Sequence, residues 1–385
     1  MDLDENTNNR FNYLAKLLKN ECNLKIITST FSHREKRQRN YKDISNINIH
    51  MLYEPGYEKN ISFKRIYSHY VLARNLKKCL NNIEEKPDVI YCAVPSLKFA
   101  KETAKYAKKN KIRFIIDIQD LWPEAFKMVF NVPIISDLTF YPMMKQANYI
   151  YSNADEIVAV SNTYLNRALS VNKKCNKGLS VFLGTDLNYF DKCKINGLKK
   201  CNDQIIKIAY IGTLGYSYDI ISVMKAIKLL NNKGIKNIKF IIMGDGPLRN
   251  RFENFAKKND INCEFTGRLE YEKMIGVLCS CDIAVNPINK GSAGSIINKV
   301  GDYAMAGLPV VNTQECPEYK ELLSKYEAGV NAMNGNALDI SEKIKFLILN
   351  KKVRENMGKN NRRLAIEKFD REKTYNQIVK IIEGN

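Results

Sequence analysis

The chain has 385 residues, 45% of them hydrophobic, with 61 Lys plus Arg against 41 Asp plus Glu and a formal charge of +20. That length predicts about two domains, each with enough apolar residues for a core. No apolar run reaches the ~18–20 residues that cross a bilayer, and the polar, acidic start after Met1 lacks a secretion pattern, so the expectation is a cytoplasmic protein, soluble or peripheral.

The positive balance suits an anionic partner: nucleic acid, a negative membrane surface or a phosphorylated substrate. It is also what an AT-rich genome produces, since Lys, Asn and Ile all abound. The basic residues are dispersed, apart from a cluster at 33–39. No helix-turn-helix, zinc-finger or aromatic RNA-binding pattern occurs, so nucleic acid is not an expected partner. Ten cysteines show no CxxC spacing, and the three histidines (His33, His50, His69) all lie in the first half. These are expected to be core thiols in a reducing compartment, with no metal site.

In chain order, Phe11, Leu14, Leu17 and Leu18 have helical spacing. Strands are predicted at 24–28, 46–52, 88–93 and 113–116, with helices at 63–81 and 96–110 between them. The strand at 113–116 runs into the polar cluster Asp117, Gln119, Asp120, Trp122 and Glu124. Open α/β sheets place their sites at such strand ends. A helical region at 141–151, a strand at 156–160 and a helix capped by Ser161 follow, then a strand at 181–183 and a turn at 184–190. Residues 191–204 are polar and without period, and are read as a linker.

The alternation then restarts. Strands at 205–211, 239–243, 263–266 and 283–286 mostly end in Gly-bearing turns: Gly212 to Gly215, Gly244 to Pro247, then Gly267 and Arg268. The fourth strand leads into 291–311, where Gly291, Ser292, Ala293, Gly294 and Ser295 precede Lys299, Asp302, Gly307 and Pro309. Small residues before a helix start bring backbone N–H groups to a phosphate, and Asp302 could accept hydrogen bonds from sugar hydroxyls. An ordinary βαβ corner would read the same way. The tail is helical over 340–349 and 353–368, breaks at Phe369 and Asp370, and restarts.

The order and spacing of Tyr210–Gly215, Met243–Pro247, Phe265–Arg268, Ala284–Pro287 and Asn298–Val311 resemble the donor-binding domain of glycosyltransferase family 4. Residues 28–33, 117–124, 160–161 and 184–186 agree with the family's first domain, and Asp-Leu-Trp-Pro-Glu resembles its amino-sugar and deoxy-sugar branch. The resemblance implies an α/β protein of GT-B fold: two Rossmann-like domains facing a central cleft, with a C-terminal helix returning to the first. The expected divisions are 1–190, a linker at 191–204, a nucleotide-sugar domain at 205–368 and a terminal helix at 369–385. It implies retaining, metal-independent transfer from a nucleotide-sugar, UDP-linked as the family expectation, to a saccharide or polyprenyl-diphosphate-linked saccharide in cell-surface polysaccharide synthesis. A non-catalytic nucleotide-binding partner in a polysaccharide complex is the alternative.

Carried over by position, Gly212, Thr213, Gly244, Asp245 and Gly246 line the nucleotide pocket, and Arg268 and Leu269 lie at the base. Ser292, Ala293, Gly294 and Ser295 meet the donor sugar and phosphates, and Asp302 meets the ribose. Two departures matter. Gly294 stands where the family has the first glutamate of its Glu-x7-Glu motif, and Thr213 and Asp219 stand near its diphosphate-binding Arg and Lys. A departing diphosphate still needs countercharge, for which Lys299 is the first candidate and Lys290 the second. A GT-B chain normally opens with a strand and a Gly-rich loop, whereas Met1 is followed directly by what should come after them; the expectation is either a start placed too late or one absent central strand.

In the first half, Asp117 is expected at the donor sugar as a catalytic residue, ahead of the plainer reading as an Asx-turn at a strand end. His33, Asp120, Trp122 and Glu124 are candidates for the acceptor. Trp122 suits sugar stacking or core packing. Glu124 also suits a helix start. His33 and the basic run at 34–39 either touch an acceptor phosphate or anionic lipid, or are solvated.

Overall fold

The computed structural model describes residues 10–384 except 34, 40–46, 60–61, 130–132, 176–177, 196–204 and 293. The chain forms two compact units, Met1–Phe182 with Thr374–Asn385, and Leu183–Lys373. The division thus falls at Leu183, ahead of the expected boundary. Residues 191–195 are not linker but the end of a helix, Leu187–Ile195. The rest of the expected linker, 196–204, lies outside the described residues.

In the first unit, β1 (Lys25–Ser29) precedes a short antiparallel hairpin, β2 (Phe31–Ser32) with β3 (Arg37–Gln38). β1 pairs in parallel with β4 (Asn48–Leu52). A separate parallel sheet holds β5 (Val89–Val94), β6 (Arg113–Ile118), β7 (Glu156–Ala159) and β8 (Leu179–Ser180), in that order. Phe114 to Ile118 are all buried, as a continuous apolar run covered on both faces must be. Among the described residues no strand joins β4–β1 to the sheet of β5 to β8. The segment expected to lack a first strand, before residue 10, lies outside them.

Asp117 ends that buried strand, and here an expectation is corrected. Its side chain is fully enclosed and its oxygens are taken. Arg10 Nε donates to Oδ2 at 2.7 Å and Arg10 Nη2 to Oδ1 at 3.1 Å. Tyr91 Oη and Gln119 Nε2 donate at 2.6 and 2.7 Å. Arg10 also donates to the carbonyls of Val181 and Phe182, and its guanidinium lies 4.9 Å from the Tyr375 ring. Burial, the largest single effect, lowers the Arg10 pKa; Asp117 together with Tyr375 and Tyr91 outweighs it, and the net shift is upward. A carboxylate held this way is an internal brace, not a group that reaches a sugar. Leu14, Ile115, Val158, Val181, Tyr375 and Ile378 form the core around it, so the helix Asn376–Glu383 closes this unit.

The second unit has a six-stranded, wholly parallel sheet: β9 (Ile206–Ile211), β10 (Ile238–Met243), β11 (Cys263–Gly267), β12 (Ile283–Asn286), β13 (Val310–Asn312) and β14 (Gly329–Asn331). Its order is β11-β10-β9-β12-β13-β14. The winding reverses between β9 and β12, which makes a crevice outside their carboxyl ends, where open α/β sheets take ligands. The helix Ile220–Asn232 lays Val223, Ile227 and Leu230 on the sheet, against Ile208, Phe240 and Ile242.

Replacing Arg10 by Ala leaves the Asp117 carboxylate buried without its cation, which should destabilise the first unit by about 3–5 kcal/mol. Urea unfolding followed by Trp122 fluorescence reads this as a lower midpoint.

Candidate nucleotide site in the second unit

The carboxyl ends of β9, β10 and β11 are stitched to one another through glycines. Gly212 N donates to Met243 O and Gly244 N to Gly267 O, each at 2.9 Å. Leu214 N donates to Asp245 O, also at 2.9 Å. Gly212 and Gly244 have φ of +133° and +150°, a region that L side chains rarely adopt. A Cβ on Gly244 would lie 1.9 Å from Gly212 O, and one on Gly246 would lie 2.5 Å from Leu214 O. Only glycine permits this approach. Asp245 points outward, its Oδ1 accepting from Gly246 N at 2.7 Å, with Arg249 at 3.7 Å. Thr213 and Arg268 are exposed at the same edge, and Leu269 is half-buried.

Into this edge comes Lys299, the first residue of the helix Lys299–Met305. The residue is 8% exposed, yet among the described residues its Nζ has no hydrogen-bond partner. It lies 4.1 Å from the centroid of the Tyr210 ring and 3.9 Å from that of Tyr218. A Cβ at Gly212 would meet Nζ at 2.9 Å, so the missing side chain there makes room for the ammonium. Burial pushes the Lys299 pKa well down. The two π faces offset part of that cost, since a ring quadrupole attracts a cation. The cage is held in place: Tyr210 Oη donates to Thr213 O at 2.8 Å, and Ile211 N donates to Tyr303 Oη at 2.9 Å.

One turn further, Asp302 is half-buried. Tyr271 Oη donates to its Oδ1 at 2.9 Å, and Thr185 Oγ1 to the same oxygen at 3.4 Å. Both donors sit on Oδ1, which leaves Oδ2 for a ligand. Enclosure raises the Asp302 pKa to about 6, against the lowering effects of Tyr271, Arg371 and Thr185. Tyr271 is itself set by Tyr189, whose ring stacks on it at 5.8 Å and 5°. Asp219, near the family's Lys position, caps the helix Ile220–Asn232 by accepting from Ser222 N at 3.1 Å.

The loop from β12 is anchored by an amide ladder. Asn286, Asn312 and Asn331 stand in register on β12, β13 and β14. Asn286 Nδ2 donates to Asn312 Oδ1 and Asn312 Nδ2 to Asn331 Oδ1, both at 2.9 Å. Gln314 Nε2 donates to Ser295 O at 2.6 Å and so fixes the loop backbone. Ser292 is exposed, Gly294 half-buried and Ser295 buried; Ala293 lies outside the described residues. Sequence reading missed this ladder, together with Tyr210, Tyr218, Tyr271 and Thr185. The ladder had a signal: three short strands each end in Val-Asn, at 285–286, 311–312 and 330–331.

In the first unit the four acceptor candidates separate. Trp122 Nε1 donates to Asp120 Oδ2 at 3.2 Å, and Trp122 stacks on His69 at 6.1 Å with the Arg65 guanidinium 4.4 Å from its ring. His33 Nδ1 is 2.6 Å from Tyr57 Oη, and Tyr57 lies 5.8 Å from His69. His33, Trp122 and Asp120 therefore belong to one chain of aromatic and cationic groups. Burial, with Arg65, His33 and Lys98, pushes the His69 pKa down to about 4. Glu124 turns away to Arg167, which Asn148 also holds, so it is an ion-paired brace rather than part of that chain.

Residues 198–364 match the family model of Glycosyl transferases group 1. An uncharacterised glycosyltransferase of Methanocaldococcus jannaschii is 26% identical over 242 residues, which are 61% of this chain and 61% of that protein. The match thus spans less than two thirds of that relative's length. A Campylobacter jejuni α-1,4-N-acetyl-D-galactosaminyltransferase, named for a GalNAc-bearing saccharide on PP-undecaprenol, is 38% identical over 79 residues, 19% of this chain and 22% of its own. Among solved structures, Anabaena HepE in complex with UDP has a TM-score of 0.64 at 13% identity, covering 88% of this chain and 87% of its own. The chain has the GT-B fold, and its residues 198–364 are similar to the group 1 glycosyltransferase domain.

Replacing Tyr271 by Phe removes a hydrogen bond that lowers the Asp302 pKa, so the Asp302 titration should move upward from about 6. Carboxyl-carbon NMR of wild type, Tyr271→Phe and Asp302→Asn identifies the resonance and its midpoint.

Proposed function

We propose that the chain is a retaining, metal-independent glycosyltransferase of the family 4 kind. It takes a sugar from a nucleotide-sugar, UDP-linked by the analogy with the HepE complex, and passes it to a saccharide on a lipid diphosphate carrier. The pathway is cell-surface polysaccharide synthesis at the cytoplasmic membrane face. The observation that carries this reading is Lys299, a buried ammonium without an acceptor beside glycine-built strand ends at the switch point of a parallel sheet. A diphosphate supplies what that ammonium lacks. The same residue provides the countercharge that the family draws from the positions occupied here by Thr213 and Asp219.

In this reading Asp302 Oδ2 accepts from the ribose hydroxyls, and the backbone around Gly212 and Gly244 admits the phosphates. Ser292 to Ser295 face the donor sugar. The bond from the anomeric carbon to the diphosphate oxygen breaks. The acceptor hydroxyl adds on the same face, and its proton passes to the departing diphosphate. Positioning and charge stabilisation carry such a step without a protein base. His33, Trp122 and Asp120 are proposed for the acceptor. Gly294, which leaves no carboxylate at the donor sugar, favours a second reading: a nucleotide-binding member of an assembly complex without catalysis. Release of UDP from a UDP-sugar in the presence of lipid-linked saccharide decides between them.

Lys299→Met should fold at least as well as wild type, because it removes a desolvated cation. It should weaken UDP binding by about ten- to a hundredfold, the scale of a charge-assisted contact, and leave uridine binding unchanged. Thermal shift with UDP, GDP, ADP and uridine measures this; wild-type turnover in Lys299→Met would sink the assignment. Burial holds the Lys299 pKa down and a bound diphosphate should raise it, so UDP binding to wild type should take up a proton wherever the pH lies between the two values. The calorimetric heat would then depend on the buffer's ionisation enthalpy.

A further inference from the structure

The helix Phe63–Asn81 buries one face and leaves the opposite one uncovered. At 100° per residue, Leu72, Leu76 and Leu80 point inward with Ser68 and Ala73, and all are buried. On the outward side stand Phe63, Ile66, Tyr67 and Tyr70, exposed by 90%, 57%, 62% and 53%. The same stripe continues through Arg74, Lys77 and Lys78, also exposed. Large apolar side chains are usually scattered singly over a surface; four on adjacent turns form a patch. The helix contains neither Asp nor Glu, and Lys98 of the neighbouring helix Leu97–Asn110 brings its ammonium to 5.1 Å from the Tyr70 ring.

The stripe is divided along its length. Its first two turns are aromatic and aliphatic, and its last two are basic, over about 22 Å. A complementary surface must therefore offer an apolar layer bordered by negative charge. A lipid bilayer with anionic headgroups has that order by construction. Phe and Ile enter the acyl boundary, the two tyrosines keep their hydroxyls at headgroup level, and the Lys and Arg ends meet phosphates. We propose that this face of the helix Phe63–Asn81 docks the protein on an anionic membrane surface. The expected membrane-contact run at 34–39 is a different element. The inference rests on the proposed function only in that a lipid-linked acceptor would place the protein there, and its readout is independent of sugar transfer.

The test is cosedimentation of the full chain with vesicles of phosphatidylcholine alone and of phosphatidylcholine mixed with phosphatidylglycerol. Wild type should pellet with the mixed vesicles, and salt should weaken this. Arg74→Gln with Lys77→Gln and Lys78→Gln should cut the partition about a hundredfold, or about fivefold for each cation. Phe63→Ser with Ile66→Ser, Tyr67→Ser and Tyr70→Ser should abolish it on both compositions. Both variants should keep the wild-type melting temperature and UDP shift; if the fourfold variant melts early, Phe63→Ser alone replaces it. Failure of wild type to pellet, or pelleting of both variants like wild type, overturns the proposal. So does a wild-type dimer in analytical ultracentrifugation that the fourfold variant dissolves, which would assign the face to a second copy. A lost UDP shift with intact vesicle binding would instead count against the nucleotide site.

Discussion

Lys299 carries its amino group into a site where, among the described residues, nothing accepts a hydrogen bond from it. Two phenol rings flank the ammonium, and Gly212 leaves the space it occupies. Everything around it serves that placement. Tyr303 ties the helix that bears Lys299 to the end of β9, and Tyr210 is held by the carbonyl of Thr213. The glycines of the neighbouring loops let three strand ends come within one hydrogen bond of each other. A buried cation without a partner lowers stability, so its persistence points to a partner that arrives from solution.

The two carboxylates singled out from sequence behave in opposite ways for one physical reason. Asp117 meets a guanidinium, a phenol and an amide inside the first unit, and its hydrogen-bonding capacity is used up. Asp302 accepts hydrogen bonds from two uncharged hydroxyls, both on one oxygen, and keeps a raised pKa even though the charge of Arg371 acts to lower it. Neutral donors beside a carboxylate leave room for a ligand; a bidentate arginine does not.

Much of the architecture was legible. Strand ends bearing glycine at 212, 244 and 267 and the alternating pattern specify a parallel sheet with loops on one edge, and the structure has it. Lys299 and Asp302 were visible as chemistry, though not the tyrosines that define them. Tyr210 and Tyr218 read as strand and loop residues, and their meeting depends on how the chain returns from β12. Asp117 misled because its partner, Arg10, lies 107 positions away at the start of the helix Arg10–Leu18, and no local pattern announces the pair. The exposed stripe of the helix Phe63–Asn81 was hidden for a related reason. Its apolar residues fit the helical period as well as its buried leucines do, and only burial tells the two faces apart.

The first unit draws part of its core from beyond the second. Tyr375 and Ile378 join Leu14, Ile115 and Val181, and Arg10 packs on Tyr375, although residues 183–373 intervene in the chain. During synthesis the second unit is whole once Lys373 has been made. The first must wait for residues 374–385 to complete a core begun at the helix Arg10–Leu18. Its nascent form therefore exposes apolar surface throughout translation of the second unit, the interval in which a ribosome-associated chaperone has most to cover.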